Sequence, residues 1–131
     1  MCLFLTVAAV KEDVNASRLK RVLKGASAFS VFGDAADGAR FSLGNDAHCS
    51  CDLRTGGPNG DGSRISIVPT AGEALLKVAQ EAIAAGFVLL EFRVFWGNVE
   101  ASETIEITLS DFRELVAENS FDGRVAYVVS A

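Results

Sequence analysis

The chain has one histidine and three cysteines, and His48, Cys49 and Cys51 stand within four residues of each other, with Cys2 far upstream. Thiolates and imidazole together suit Zn²⁺, which takes four such ligands in a tetrahedron. Cys2, His48, Cys49 and Cys51 suffice for one such site if Cys2 folds back beside the loop. The spacing argues against it, because zinc-knuckle cysteines usually stand two to four residues apart and His48 directly adjoins Cys49. A thiol reading is the second option. Cys49 and Cys51 would form a reducible bridge, or His48 would activate one of them as a nucleophile. That chemistry needs a third group to orient the imidazole, and Asp46 and Asp52 are near in sequence only. A cysteine directly after Met1 is also the nucleophile of some amidotransferases, but those enzymes need a much larger two-sheet domain. The plainest reading is packing, with Cys2 in a strand and Cys49 and Cys51 plugging a loop onto the core.

The opening Met1, Cys2, Leu3, followed some forty residues on by His48, Cys49, Ser50, Cys51, resembles a group of small uncharacterised bacterial proteins. Those proteins begin Met-Cys-Leu and carry Gly-His-Cys-Asp-Cys-Gly at a similar distance. Here Ala47 precedes the histidine, Ser50 separates the cysteines and Asp52 follows them. The resemblance touches about the first 56 residues and implies no activity.

The 131 residues carry 12 Lys and Arg against 17 Asp and Glu, a formal charge of −5, and half of the chain is apolar. That length fits one domain with a core of its own, and the apolar content excludes an intrinsically disordered chain. No apolar run reaches the roughly 18 residues of a membrane span, so no membrane role is expected. A pI near 4.8 argues against nucleic acid as a partner, since that role needs a basic footprint. The apolar start lacks a basic n-region, the first base being Lys11, and reads as a buried strand rather than a signal peptide. Three cysteines make a poor disulfide framework, so a cytoplasmic setting is expected.

The elements that must position these groups follow from periodicity. Asn15 suits an N-cap, Leu19, Val22, Leu23 and Ala26 form one helix face, and Gly25 reads as its left-handed stop. Phe29–Phe32 and Ala39–Leu43 read as short strands. A glycine-rich loop spans 44–63, and Arg64–Val68 returns to strand. Its Gly56–Gly62 stretch lacks the Lys-Ser/Thr of a phosphate loop and the terminal Glu of an EF-hand loop. Thr70 and Glu73 make a capping box for a second helix, with a stripe of Leu75, Val78, Ala79, Ala82 and Ile83, ended by Gly86. In a later strand Ile105, Ile107 and Leu109 alternate inward, and Ser110 or Asp111 caps a short third helix. The expectation is a single α+β domain. Three helices, near 15–25, 70–85 and 111–118, pack on a largely antiparallel sheet that includes 2–9, 87–96, 103–109 and 124–130.

Charge is unevenly divided: residues 1–72 sum to +1 and residues 73–131 to −6. Glu100, Glu103, Glu106, Asp111, Glu114 and Glu118 fall within nineteen residues, with the last three on one helix face. Such a cluster is either a solvated face or the footprint of a basic protein partner. No convincing catalytic set accompanies it. The function expected is therefore a small bacterial binding module without a cofactor, of inhibitor or immunity type, that covers a basic protein. The alternative is a zinc- or thiol-dependent protein built on the Cys/His cluster.

Overall fold

The computed structural model describes residues 3–10, 16–26, 29–33, 40–44, 50, 53, 55, 64–97 and 99–131. Its elements run β1 (Leu3–Ala9), α1 (Ala16–Ala26), β2 (Ser30–Phe32), β3 (Arg40–Gly44), α2 (Pro69–Ala84), β4 (Leu90–Trp96), β5 (Glu103–Thr108), α3 (Leu109–Glu118) and β6 (Val125–Ser130). Alternation in the strands decides the architecture. Leu3, Leu5 and Val7 of β1, Phe41 and Leu43 of β3, Leu90, Phe92, Val94 and Trp96 of β4, and Val125, Tyr127 and Val129 of β6 all join one buried cluster. That cluster also takes Leu19 and Leu23 of α1, Leu75, Val78 and Ala79 of α2 and Phe112 of α3. All three helices therefore cover the same face of one six-stranded sheet, and the chain is an α+β protein with a single core.

The strand order is β2-β3-β1-β4-β6-β5. Four pairings are antiparallel and one, β5 with β6, is parallel. The parallel pair arises because β5, α3 and β6 form a strand–helix–strand crossover, a unit the mixed rhythm of the sequence did not reveal. On the helix-free face, Phe4 stacks on Phe95 with ring centroids 5.4 Å apart, and Arg40 meets Glu91 at 2.8 Å. Arg93 lies over the Phe95 ring at 4.0 Å and donates to the carbonyls of Val99 and Gly123, both at 2.9 Å. Burial lowers its guanidinium pKa, partly offset by Glu91 nearby.

Four expectations are corrected. Gly25 does not end α1: it lies within the helix, which continues to bury Ala26. Thr70 and Glu73 do not cap α2. Pro69 instead occupies its first position, where its missing N–H costs nothing, and no side chain caps the end. The third helix starts two residues early, because the Thr108 hydroxyl accepts from the Asp111 N–H at 3.1 Å; Leu109 is thus helical rather than an inward strand residue. Segment 64–68 is no sheet strand. Ile65 and Phe121 exchange both backbone hydrogen bonds, at 2.8 and 2.9 Å, and the Asn119 side-chain amide extends this bridge by bonding both the N–H and the C=O of Ile67. Ser66 then donates to the Asn119 carbonyl at 2.8 Å. The proposed Asn15 cap lies outside the described residues.

Gly86 does end α2, as its position suggested. Its φ is +103°, and the Gly86 N–H bonds to Ile83 while the Phe87 N–H reaches back to Ala82, the paired bonds of a Schellman stop. The two glycines therefore respond oppositely to alanine. Gly25→Ala should stabilise the protein by about 0.5–1 kcal/mol, since it is helical with open space beyond it. Gly86→Ala should destabilise it by about 1–2 kcal/mol, the cost of a left-handed backbone with a Cβ. Urea unfolding of the two variants measures both signs.

Tyr127, the only tyrosine, gives a pH signature. Its hydroxyl accepts from the Asp122 N–H at 2.9 Å. Burial raises the phenol above its ordinary value of 10.0, against the lowering effect of that backbone bond. A raised acid retains its proton longer folded than unfolded. Its contribution is complete below about pH 10 and is lost as pH climbs through the folded value. Tyrosinate absorbance should therefore titrate above about pH 10 in the native protein and return to about 10 in urea. The alkaline loss of stability should shrink in Tyr127→Phe.

Candidate functional site

The six carboxylates singled out from the sequence all have exposed side chains. Among the described residues the ion pairs are Arg40 with Glu91 and Arg124 with Asp122, so none of the six is neutralised by a bridge. Glu103 and Glu106 stand on β5, the last strand of the sheet. The register pairs Glu103 with Val125 and Glu106 with Val128, which sets Glu103 on the helix side and Glu106 on the helix-free side. Glu100 lies in the connection between β4 and β5 and faces solvent. Only Ile107 of β5 is less than exposed, and Ile105 is 36% exposed. The inward alternation expected for Ile105 and Ile107 is correct in direction, for both share the side of Tyr127 and Val129. Their burial is small because nothing among the described strands lies beyond β5.

Helix α3 carries the other three. Phe112 is fully buried and packs on Phe92, ring centroids 4.6 Å apart, while Leu115 and Val116 are half-buried beside it. A helix advances about 100° per residue, so Asp111, Glu114 and Glu118 form one flank about 120° round from that buried face. Arg113 lies on the opposite flank. Which flank faces outward is fixed by α2, because a Cβ built on Gly72 would meet the Val116 side chain at 3.1 Å. Val116 and the Arg113 flank are thus on the α2 side, and the acidic flank points away from α2 toward the β5 margin of the sheet. The helix and the edge strand present their carboxylates at one side of the molecule. Sequence spacing gave the helical face; its alignment with β5 depends on the crossover topology and had no sequence signal.

Backbone polarity adds a second property to this margin. The Glu103 N–H donates to the Arg124 carbonyl at 3.3 Å, which turns the polar groups of Glu103, and by alternation those of Ile105 and Ile107, toward β6. The N–H and C=O groups of Thr104 and Glu106 consequently point outward, away from the sheet.

Cys2, His48, Cys49 and Cys51 lie outside the described residues. Among the described residues no group of three His, Cys, Asp or Glu side chains is disposed to hold a metal. Likewise, among them, no helix is long and apolar enough to cross a membrane. Ser50, which separates the two cysteines, is described and was not anticipated as important. Its side chain is 1% exposed, its hydroxyl donates to the Leu43 carbonyl at 2.5 Å and accepts from the Leu5 N–H at 3.2 Å, and its own N–H donates to the Leu3 carbonyl at 2.7 Å. Stepping the Thr6–Ser42 register by one residue sets Leu5 opposite Leu43, so the hydroxyl bridges β1 and β3 where they separate. Leu53 is a second buried anchor in the glycine-rich stretch, its carbonyl accepting from the Val68 N–H at 2.7 Å.

Ser50→Ala should destabilise the protein by about 2–4 kcal/mol, because it orphans a buried N–H and a buried C=O together. Chemical denaturation of Ser50→Ala beside Ser50→Thr, which retains a hydroxyl, separates this loss from that of side-chain volume. Compared with known protein families, curated proteins and solved structures, the chain matches none.

Proposed function

We propose that the chain is a protein-binding module whose acidic C-terminal surface takes a basic protein partner, in the manner of a small bacterial inhibitor or immunity protein. The observation that carries this reading is the gathering, at one margin of the sheet, of exposed carboxylates from β5 and α3 that have no ion pair among the described residues. Like charges at the spacing of Asp111, Glu114 and Glu118 cost an isolated helix a few tenths of a kcal/mol per pair. A cationic surface relieves that repulsion on contact. It is also drawn in from a distance, because an uncompensated acidic field raises encounter rates at low salt.

The test is kinetic. A partner recovered on the immobilised protein from cells of the source should associate faster as ionic strength falls. Changing Asp111, Glu114 and Glu118 together to lysine should slow that association about 10-fold or more at low salt. Thermal stability should change little, since exposed positions seldom carry it. Equal association rates for wild type and triple variant across salt would mean that the acids only confer solubility.

A second reading, a zinc- or thiol-dependent protein using Cys2, His48, Cys49 and Cys51, draws support from Ser50. The residue between Cys49 and Cys51 is hydrogen-bonded to Leu3, the residue after Cys2, so the described neighbours of all three cysteines are held together. One equivalent of zinc in the purified protein, or one hyper-reactive thiol, favours this reading. Three ordinary thiols and no metal remove it.

A further inference from the structure

We infer that β5 is a docking edge, which takes an extended basic segment of the partner as a seventh strand of the sheet. This rests on the reading of the acidic margin as a protein-binding surface, and it specifies how that surface binds. The two ends of the sheet differ in a way that matters for association. An open sheet edge pairs readily with other chains, and proteins blunt it by brevity, proline, lysine or cover. The β2 edge is three residues long, which is protection enough. The β5 edge is six residues long, has no proline or lysine, and is rich in Thr and Ile, the residue types of a strand. Its guards are Glu103 and Glu106.

Those guards select the occupant. A second copy of β5 laid on the first brings Glu103 and Glu106 of both strands together, with the α3 acids flanking them, and like charges on neighbouring strands repel. A strand bearing lysine or arginine meets the reverse. Its alternate side chains fall on both sides of the sheet, where Glu106 waits on the helix-free side and Glu103 on the helix side. The outward N–H and C=O groups of Thr104 and Glu106 supply the hydrogen bonds of such an addition, and Ile105 supplies an exposed apolar contact. Charge thus chooses the segment and backbone geometry holds it.

The probe is a synthetic peptide of about eight residues, an ordinary strand length, with lysines three residues apart among valine and threonine, so that they fall on both faces as Glu103 and Glu106 do. Its control has the same charge but is N-methylated at alternate residues, so that its backbone donors on one edge are gone. The unmodified peptide should bind at low salt and slow hydrogen exchange of the Thr104 and Glu106 amides, while the N-methylated control binds about 10-fold or more weakly. Thr104→Pro should weaken the unmodified peptide similarly. It removes an outward donor that β6 does not use, so the ladder survives.

Equal binding of the two peptides, with no exchange protection, would overturn strand addition and leave the acidic-surface reading standing. Failure of both peptides to bind at low salt would overturn both. Concentration-dependent self-association that protects the same amides would assign the edge to a second copy, and the inference would fall.

Discussion

Seven consecutive residues of β1 pair with seven of β4 in one antiparallel register, from Leu3 opposite Trp96 to Ala9 opposite Leu90. That register is the constraint on which the fold turns. It places Leu3, Leu5 and Val7 on the same face as Trp96, Val94 and Phe92, and all three helices then pack on that face. A slip of β1 by one residue would turn Leu3, Leu5 and Val7 away from the core together. From β1 and β4 the same parity propagates outward to β3 and β6, and at the margin to β5, where Ile105 and Ile107 still point to the helix side. The two central strands thereby fix which side of the distant edge strand each glutamate occupies.

Much of this was legible in the sequence. The stripes Leu19, Leu23 and Leu75, Val78, Ala79 name the buried faces of α1 and α2, and the alternation Leu90, Phe92, Val94, Trp96 names that of β4. Local stops were read unevenly. Gly86 and Gly25 look alike in sequence, but only Gly86 adopts a positive φ, while the burial of Ala26 carries α1 past Gly25. Thr108 carries no distinct cap signal because it is also the last strand residue, one residue serving two elements. Segment 64–68 has the composition of a strand, yet its partners are Asn119 and Phe121 in the link after α3 on one side and Leu53 and Thr55 on the other. Its pairing with Asn119 and Phe121 is long-range, and no local pattern carries that information.

The candidate site divides along the same line. That Asp111, Glu114 and Glu118 share a helix face follows from 3.6 residues per turn. That this face borders β5 follows only from the crossover that puts α3 beside α2 on one side and leaves the sheet margin on the other. Glu103 and Glu106, three residues apart on a strand, fall on its opposite sides. That their strand is an edge is a property of the strand order, to which β5 contributes no signal of its own. A serine between two cysteines carries no sequence signal of its own, yet the Ser50 hydroxyl closes the gap between β1 and β3.

The acidic margin is carried by a scaffold held by packing and caps rather than by ion pairs among the described residues. Helix α3 has only ten residues, too few to persist alone in water. Phe112 pins it against Phe92, Thr108 caps its start, and Asn119, left-handed at φ 53°, ends it while clamping Ile67. None of these contacts involves the side chain of Asp111, Glu114 or Glu118. Stability and surface charge therefore separate physically, with packing and caps on one flank of the helix and the carboxylates on the other. Screening separates their ranges as well. At physiological salt the field of exposed carboxylates decays over about 8 Å, so it reaches into the solvent beside this margin and fades among distant parts of the fold. The outward backbone groups of β5, unpaired among the described residues, act only at hydrogen-bond distance. In the proposed complex, charge on this margin would govern encounter, and the strand edge would govern what stays.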